Sequence, residues 1–502
     1  MKLQERASTA GWIPLAAALS AVILLWDLVE LPGILQFDHF AFGDSGSNLT
    51  IFYLVSHGYR PVIDFGYAYG LLSILADMIW FRAVPLTPVG YIAASVLCQL
   101  GVACGLARTA RALALRPIQL VFLLVAVGRA VMPTYWNFAH GLEAVLISAA
   151  MAEQARGARA NALGLTTAAV FAKPSMGFVY SALLLALIAL RLYRRGSITL
   201  SAWFNQIKLA AAVGISLGAV LGVVFGADLL WRTVIPISGA ANYRTMKMGF
   251  FGADGSTFWH PPHASWHYYP GTMIGLWAAA TVYLVWAAIP AAARLWRGLA
   301  TKSESAETRR DEIIFSCALL HLAFIFFFYG LAGSWNYYSY LLIAGAAAVP
   351  VDTRFRRGAV GALIVIAGGT YYGVIQSSIS DWRGMSRSRV TANLWSLPAA
   401  RNDWTTVLAM SEGRRAVALH YAGAVEILFP QFEPASGTYF TPALESAPEI
   451  QREVARIDSA GIIVVPTLPG WGGPAATPQT DRALARFKLT ARTANFSVYE
   501  PR

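Results

Sequence analysis

The chain has 502 residues, 56% hydrophobic and 13% charged, with a mean hydropathy of +0.51. No single water-soluble core can absorb that much apolar surface, so a wholly soluble protein is excluded and a mostly helical, polytopic membrane protein is expected. The formal net charge of +12 would suit nucleic acid, but the Lys and Arg sit mainly in short loops between apolar runs, which is the positive-inside bias of membrane proteins.

Runs of about 17 to 22 apolar residues can each cross roughly 30 Å of hydrocarbon as a helix, with every backbone hydrogen bond kept inside. Such helices are expected at 12–31, 88–107, 117–135, 138–155, 209–229, 271–293, 312–331, 335–351 and 358–377, with two shorter ones at 161–172 and 174–190. That makes about 11 spans. The first, preceded by Lys2 and Arg6, is too long for a signal h-region and reads as an uncleaved anchor. Segment 65–82 carries Asp77 and Arg82. If it crossed, the cluster Arg108/Arg111/Arg116 would change sides, so it reads as a juxtamembrane helix.

The basic clusters at Arg156/Arg159, Arg191/Arg194/Arg195/Lys208, Arg294/Arg297/Lys302/Arg309/Arg310 and Arg354/Arg356/Arg357 are then cytoplasmic, as is the amino terminus. The loops 32–64, 130–140 and 230–270, the turn near Trp335 and the tail fall outside. The expected organisation is a transmembrane module over 1–377, with a first external loop at 32–87 and a large one at 230–270, followed by a soluble α/β domain over 378–502. In that tail Pro442–Ser459 has helical spacing, Gly461–Pro466 reads as a buried strand, and Phe487–Tyr499 with a turn near Thr493 reads as a hairpin. Cys98, Cys104 and Cys317 lie within spans and imply no disulfide framework. No CxxC, HExxH or P-loop occurs, so the chemistry must come from scattered polar groups.

Those groups concentrate in the external loops. Asp44 opens the first loop, and Asp64 follows His57-Gly58-Tyr59-Arg60-Pro61. Asp44 suits a helix N-cap as well as a base, and Asp64 suits a turn as well as a second acid or an acceptor ligand. Lys173 lies between two short apolar halves, where an ionisable residue is a functional candidate although a snorkelling side chain would read the same way. Arg129 is similar. Arg244 and Lys247 are further candidate cations in the large loop, where His260, His263, His267, Tyr268 and Tyr269 could line a sugar site or anchor the loop at the interface.

The first loop resembles that of the GT-C membrane glycosyltransferases, which take sugars from polyprenyl-phosphate carriers, and in particular the lipid A aminoarabinose transferases and protein O-mannosyltransferases. The matching residues are Asp44, Gly58-Tyr59 and Tyr67/Tyr69. Lys173-Pro174 in VFAKPSMGF, His263 to Pro270 in HASWHYYP, and Asn336-Tyr337-Tyr338 match further motifs in order. The resemblance implies a GT-C fold over roughly residues 10–380, a polyprenyl-phosphate monosaccharide as donor, Asp44 as catalytic base in an inverting transfer, and Lys173 among the groups that hold the carrier phosphate.

Two departures stand out. Ser45 replaces the acidic residue that usually follows the aspartate, so the acidic pair is incomplete and no metal is assigned. Where relatives often carry a second aspartate, NFAHGLEAVL offers His140 and Glu143. The expected function is transfer of a hexosyl or pentosyl unit to a lipid, polysaccharide or protein acceptor at the periplasmic face of a bacterial inner membrane. The alternative is a carrier or flippase for a lipid-linked sugar, for which inverted repeats and paired broken helices would be expected; one broken pair is visible.

Overall fold

The computed structural model describes residues 11–67, 69–131, 138–234, 271–299, 305–326, 330–419, 423–434, 447–467, 481 and 484–502. Arg244, Lys247, His263, Tyr268 and Tyr269 lie outside the described residues. The helices Ile13–Val29, Pro88–Ala112, Pro117–Ala130, Phe138–Ala155, Arg159–Ala172, Pro174–Arg194, Leu200–Phe225, Gly271–Gly298, Ala306–Phe324, Gly330–Ala348 and Arg354–Gly384 follow the expected runs. The clearest shift is at 209–229, where the helix starts nine residues earlier because Thr199 caps it by accepting from the Ala202 N–H at 3.1 Å.

Among the described residues five helices are long and apolar enough to cross a membrane: Pro88–Ala112, Pro174–Arg194, Leu200–Phe225, Gly275–Gly298 and Arg354–Gly384. The most apolar of them, Leu200–Phe225, buries least, and Leu200, Ile215 and Val223 stand 88%, 73% and 87% exposed. Water would not tolerate that face, whereas lipid requires it. Phe138–Ala155 behaves in the opposite way. It is buried almost throughout, with His140, Glu143, Ser148, Glu153 and Gln154 inside the protein, so as an interior helix it has no need of uniform apolarity. Leu71–Ala83 has 13 residues and reaches about 20 Å, too short to cross alone.

The two ends of the helices differ in chemistry. At one end Arg159 and Arg191 pair with Glu312, Arg108 and Arg156 pair with Glu153, and Arg294 pairs with Asp311. There too Arg116 donates to the Val351 carbonyl, and Arg310 to that of Leu113. The basic clusters expected on one side of the membrane therefore meet one another.

The tail holds a four-stranded sheet formed by β1 (Ala416–Ala418), β2 (Ile462–Pro466), β3 (Phe487–Arg492) and β4 (Phe496–Pro501), in the order β1-β2-β4-β3. The β1–β2 pair is parallel and the others antiparallel. The expected buried strand and hairpin are both present, and the expected helix runs over Ala447–Asp458. Trp404, fully buried in Pro398–Ser411, stacks on Phe432 and meets Phe37 and Phe42 at 5.5 and 5.6 Å. Since Phe37 and Phe42 come from the segment that follows the first apolar helix, the tail and that segment share one apolar core.

Candidate active site

The segment between the first apolar helix and Leu71–Ala83 folds around two turns. Helix Asp44–Ser56 ends when Gly58 takes φ +86°, letting the Tyr59 N–H reach Leu54 O at 3.0 Å and the Gly58 N–H reach Val55 O at 3.1 Å. This is a Schellman cap, and a side chain there would be strained. The second turn is at Gly70, whose N–H donates to Ala172 O at 3.0 Å. A Cβ on Gly70 would stand 2.0 Å from Phe171 O, so only glycine lets the loop lie against the turn that carries Lys173. The Ser73 hydroxyl donates to the same Ala172 carbonyl at 2.8 Å.

Lys173 interrupts the backbone between Arg159–Ala172 and Pro174–Arg194, because Pro174 offers no N–H and disfavours helical geometry in the residue before it. Its side chain is 2% exposed and its ammonium meets three acceptors: His140 Nδ1 at 2.8 Å, the Tyr338 hydroxyl at 2.7 Å and Glu143 Oε2 at 3.3 Å. An ammonium has three N–H bonds, and these partners match them. The Tyr338 hydroxyl in turn donates to Glu143 Oε2 at 3.2 Å, and the Met176 N–H donates to Glu143 Oε1 at 3.2 Å. Since Lys173 donates to Nδ1 of His140, the neutral imidazole carries its proton on Nε2. The His140 ring stacks on Tyr337 at 4.2 Å and meets Tyr69 edge-on at 5.7 Å.

Four elements remote in sequence thus converge: the Tyr67/Tyr69 turn, the start of Phe138–Ala155, the Lys-Pro break and Tyr337-Tyr338. Asp44 is the first residue of helix Asp44–Ser56, with Gly43 rather than Asp44 at the N-cap position. One turn on, Asn48 Oδ1 accepts from the N–H of Phe138 at 3.3 Å, so this helix meets the one that carries His140 and Glu143. Arg129 lies in the last turn of Pro117–Ala130. Among the described residues no three of His, Cys, Asp and Glu form a group able to hold a metal ion.

Asp64 has a different setting. Arg60 grips it by its backbone N–H at 2.8 Å and its Nε at 3.1 Å, both on Oδ2, and the side-chain bond holds the carboxyl below the usual carboxylate range. A depressed folded-state pKa means that the pair supports the loop above the ordinary carboxylate pKa, and that this support fades as pH falls through the lower folded value. Asp64→Asn is accordingly expected to make the loop more protease-sensitive at neutral pH, with the difference from wild type shrinking as pH falls through the lower folded value. Unchanged protease sensitivity at neutral pH would show that the Arg60 grip does not shape the loop.

Sequence reasoning missed the ion pair between Lys173 and Glu143, and it missed two tail residues, Glu449 and Arg452, that reach the loop. Spacing gives no sign of contacts made across more than 380 positions. No family model matches the chain, and no curated protein sequence matches it. Among solved structures, it is similar to ArnT from Cupriavidus metallidurans bound to undecaprenyl phosphate, with 14% identity, 98% of each chain covered and a TM-score of 0.47. It is also similar to the arabinofuranosyltransferase AftD from mycobacteria, with 15% identity and a TM-score of 0.42, covering 97% of this chain and 40% of that one. Both are GT-C glycosyltransferases, the group that the loop motifs resemble.

Proposed function

We propose that this chain is a membrane glycosyltransferase that moves a monosaccharide from a polyprenyl-phosphate carrier to an acceptor hydroxyl at the periplasmic face, with inversion. The observation that carries the reading is the convergence on Lys173 of motifs taken from four separate parts of the chain. Polyprenyl phosphate is a good leaving group, so the reaction needs charge stabilisation more than it needs an acid, and one carboxylate suffices. In this reading Asp44 accepts the proton of the acceptor hydroxyl as its oxygen attacks the anomeric carbon. The bond to the carrier phosphate breaks, and its charge is met by Lys173 and His140, with Arg129, Arg244 and Lys247 as further cations. Tyr337, Tyr268, Tyr269 and His263 offer sugar contacts, and Glu143 keeps the Lys173 ammonium in place.

The test is direct: purified protein is incubated with labelled polyprenyl-phosphate sugars and membrane lipids, and a labelled lipid, glycan or protein product is sought. A labelled product is expected. Movement of intact donor across vesicles without transfer would point instead to a carrier.

Orientation follows from the charge clusters. A cysteine at the exposed Glu412 is expected to react with an impermeant thiol reagent in cells whose outer membrane has been opened, in a Cys104→Ser background, since Cys98 and Cys317 are buried and Cys104 is only half-buried. Protection at that position would reverse the assignment of the tail to the periplasm.

A further inference from the structure

We infer that Glu449 and Arg452 of the tail helix Ala447–Asp458 are positioning residues that hold the Tyr59–Gly70 loop against the Lys173 cluster. The inference rests on reading that cluster as the transfer site. Glu449 is 1% exposed, and its Oε2 accepts from the Gly66 N–H at 2.8 Å. A carboxylate so deeply buried is tolerated only where it is satisfied. Three residues on, and therefore on the same helix face, Arg452 donates to the Asp64 carbonyl and lays its guanidinium over the Tyr59 ring at 4.9 Å.

The loop needs such support. Among its described residues between the Gly58 cap and the Gly70 turn it has neither helix nor ladder; its internal holds are a single bridge between Pro61 and Phe65, the local bonds from Val62, Ile63 and Asp64, the Arg60 grip on Asp64, and the Tyr67 hydroxyl's bond to Gly70 O at 3.2 Å. Val62, a β-branched residue, sits at φ +67°, a conformation that persists only when surrounding contacts enforce it. Gly66, which Glu449 holds, lies three residues before Tyr69, whose ring meets His140. At the loop's other end the tail makes a second hold: the Thr50 hydroxyl donates to Gly423 O at 2.6 Å, and the Ala424 N–H donates to Phe40 O at 2.9 Å. The segment that begins with Asp44 and ends at Gly70 is thus framed by the tail on both sides. The tail completes the site without supplying a reacting group.

The experiment uses the full-length protein in detergent micelles and compares Glu449→Ala, Glu449→Gln and Arg452→Ala with wild type. Glutamine keeps an oxygen for the Gly66 N–H, so it should act as a rescue. Two quantities are read: amide hydrogen exchange over 64–73, and affinity for undecaprenyl phosphate. Faster exchange with about tenfold weaker binding is expected for both alanine variants, on the scale of a lost hydrogen bond to a charged group. The glutamine variant should match wild type in both. Exchange over Pro88–Ala112 should not change, which separates loss of positioning from loss of the fold. Unchanged exchange over 64–73 in Glu449→Ala, or faster exchange with unchanged affinity, would overturn the inference. If wild type itself fails to bind undecaprenyl phosphate, the transfer reading fails, and exchange alone decides whether the tail holds the loop.

Discussion

Replacing Asp44 by Asn is expected to lower sugar transfer by about 10²- to 10⁴-fold, the usual worth of a general base, while donor binding persists. The substitution is nearly isosteric and falls at the first residue of helix Asp44–Ser56, just after the Gly43 cap. Removing a negative charge from a helix N-terminus costs about 0.3–1 kcal/mol, far too little to unfold a helix that is buried from Ser45 to Thr50. Rate and stability therefore separate. The measurements are single-turnover transfer and binding of labelled donor to the same preparation. A wild-type rate in Asp44→Asn would remove the base from this position. Asp64 would be a poor replacement, since Arg60 holds its carboxylate by a bidentate grip.

The helices were legible because hydrocarbon leaves so little choice. Apolar runs of span length mark Pro88–Ala112 or Arg354–Gly384 in the sequence alone, and in the tail the short continuous apolar run Ile462–Val465 marks a buried strand. The short strand Ala416–Ala418 and the helix Pro398–Ser411 carried no comparable signal, since three residues set no period and Trp404 draws its burial from Phe37 and Phe42, far away in the chain. Burial of polar groups was equally hidden. Nothing in FAHGLEAVL shows that Glu143 will pair with a lysine thirty residues on, because the pairing depends on how Phe138–Ala155 packs against Arg159–Ala172.

The same logic governs how Asp44 and Lys173 differ as targets. Asp44 is the first residue of a helix that is buried from Ser45 to Thr50, and its change to Asn is nearly isosteric. Lys173 belongs to a closed set of charges and hydroxyls, so any change there is felt by its partners.

Lys173→Ala is therefore expected to destabilise the fold as well as weaken donor binding, in contrast to a surface cation. The substitution leaves Glu143, 1% exposed, without the ammonium 3.3 Å away, and breaking a buried ion pair from one side costs about 3–5 kcal/mol. Replacing both partners by neutral groups of similar shape avoids that cost, so Lys173→Met combined with Glu143→Gln should recover most of the lost thermal stability. The double variant then isolates the chemistry. If the Lys173 ammonium meets the carrier phosphate, undecaprenyl phosphate binds the stable double variant about tenfold to a hundredfold more weakly than wild type, as expected for loss of a charged hydrogen bond worth about 1.5–3 kcal/mol. Wild-type affinity in that variant would make Lys173 a structural partner of Glu143 and remove it from the phosphate site.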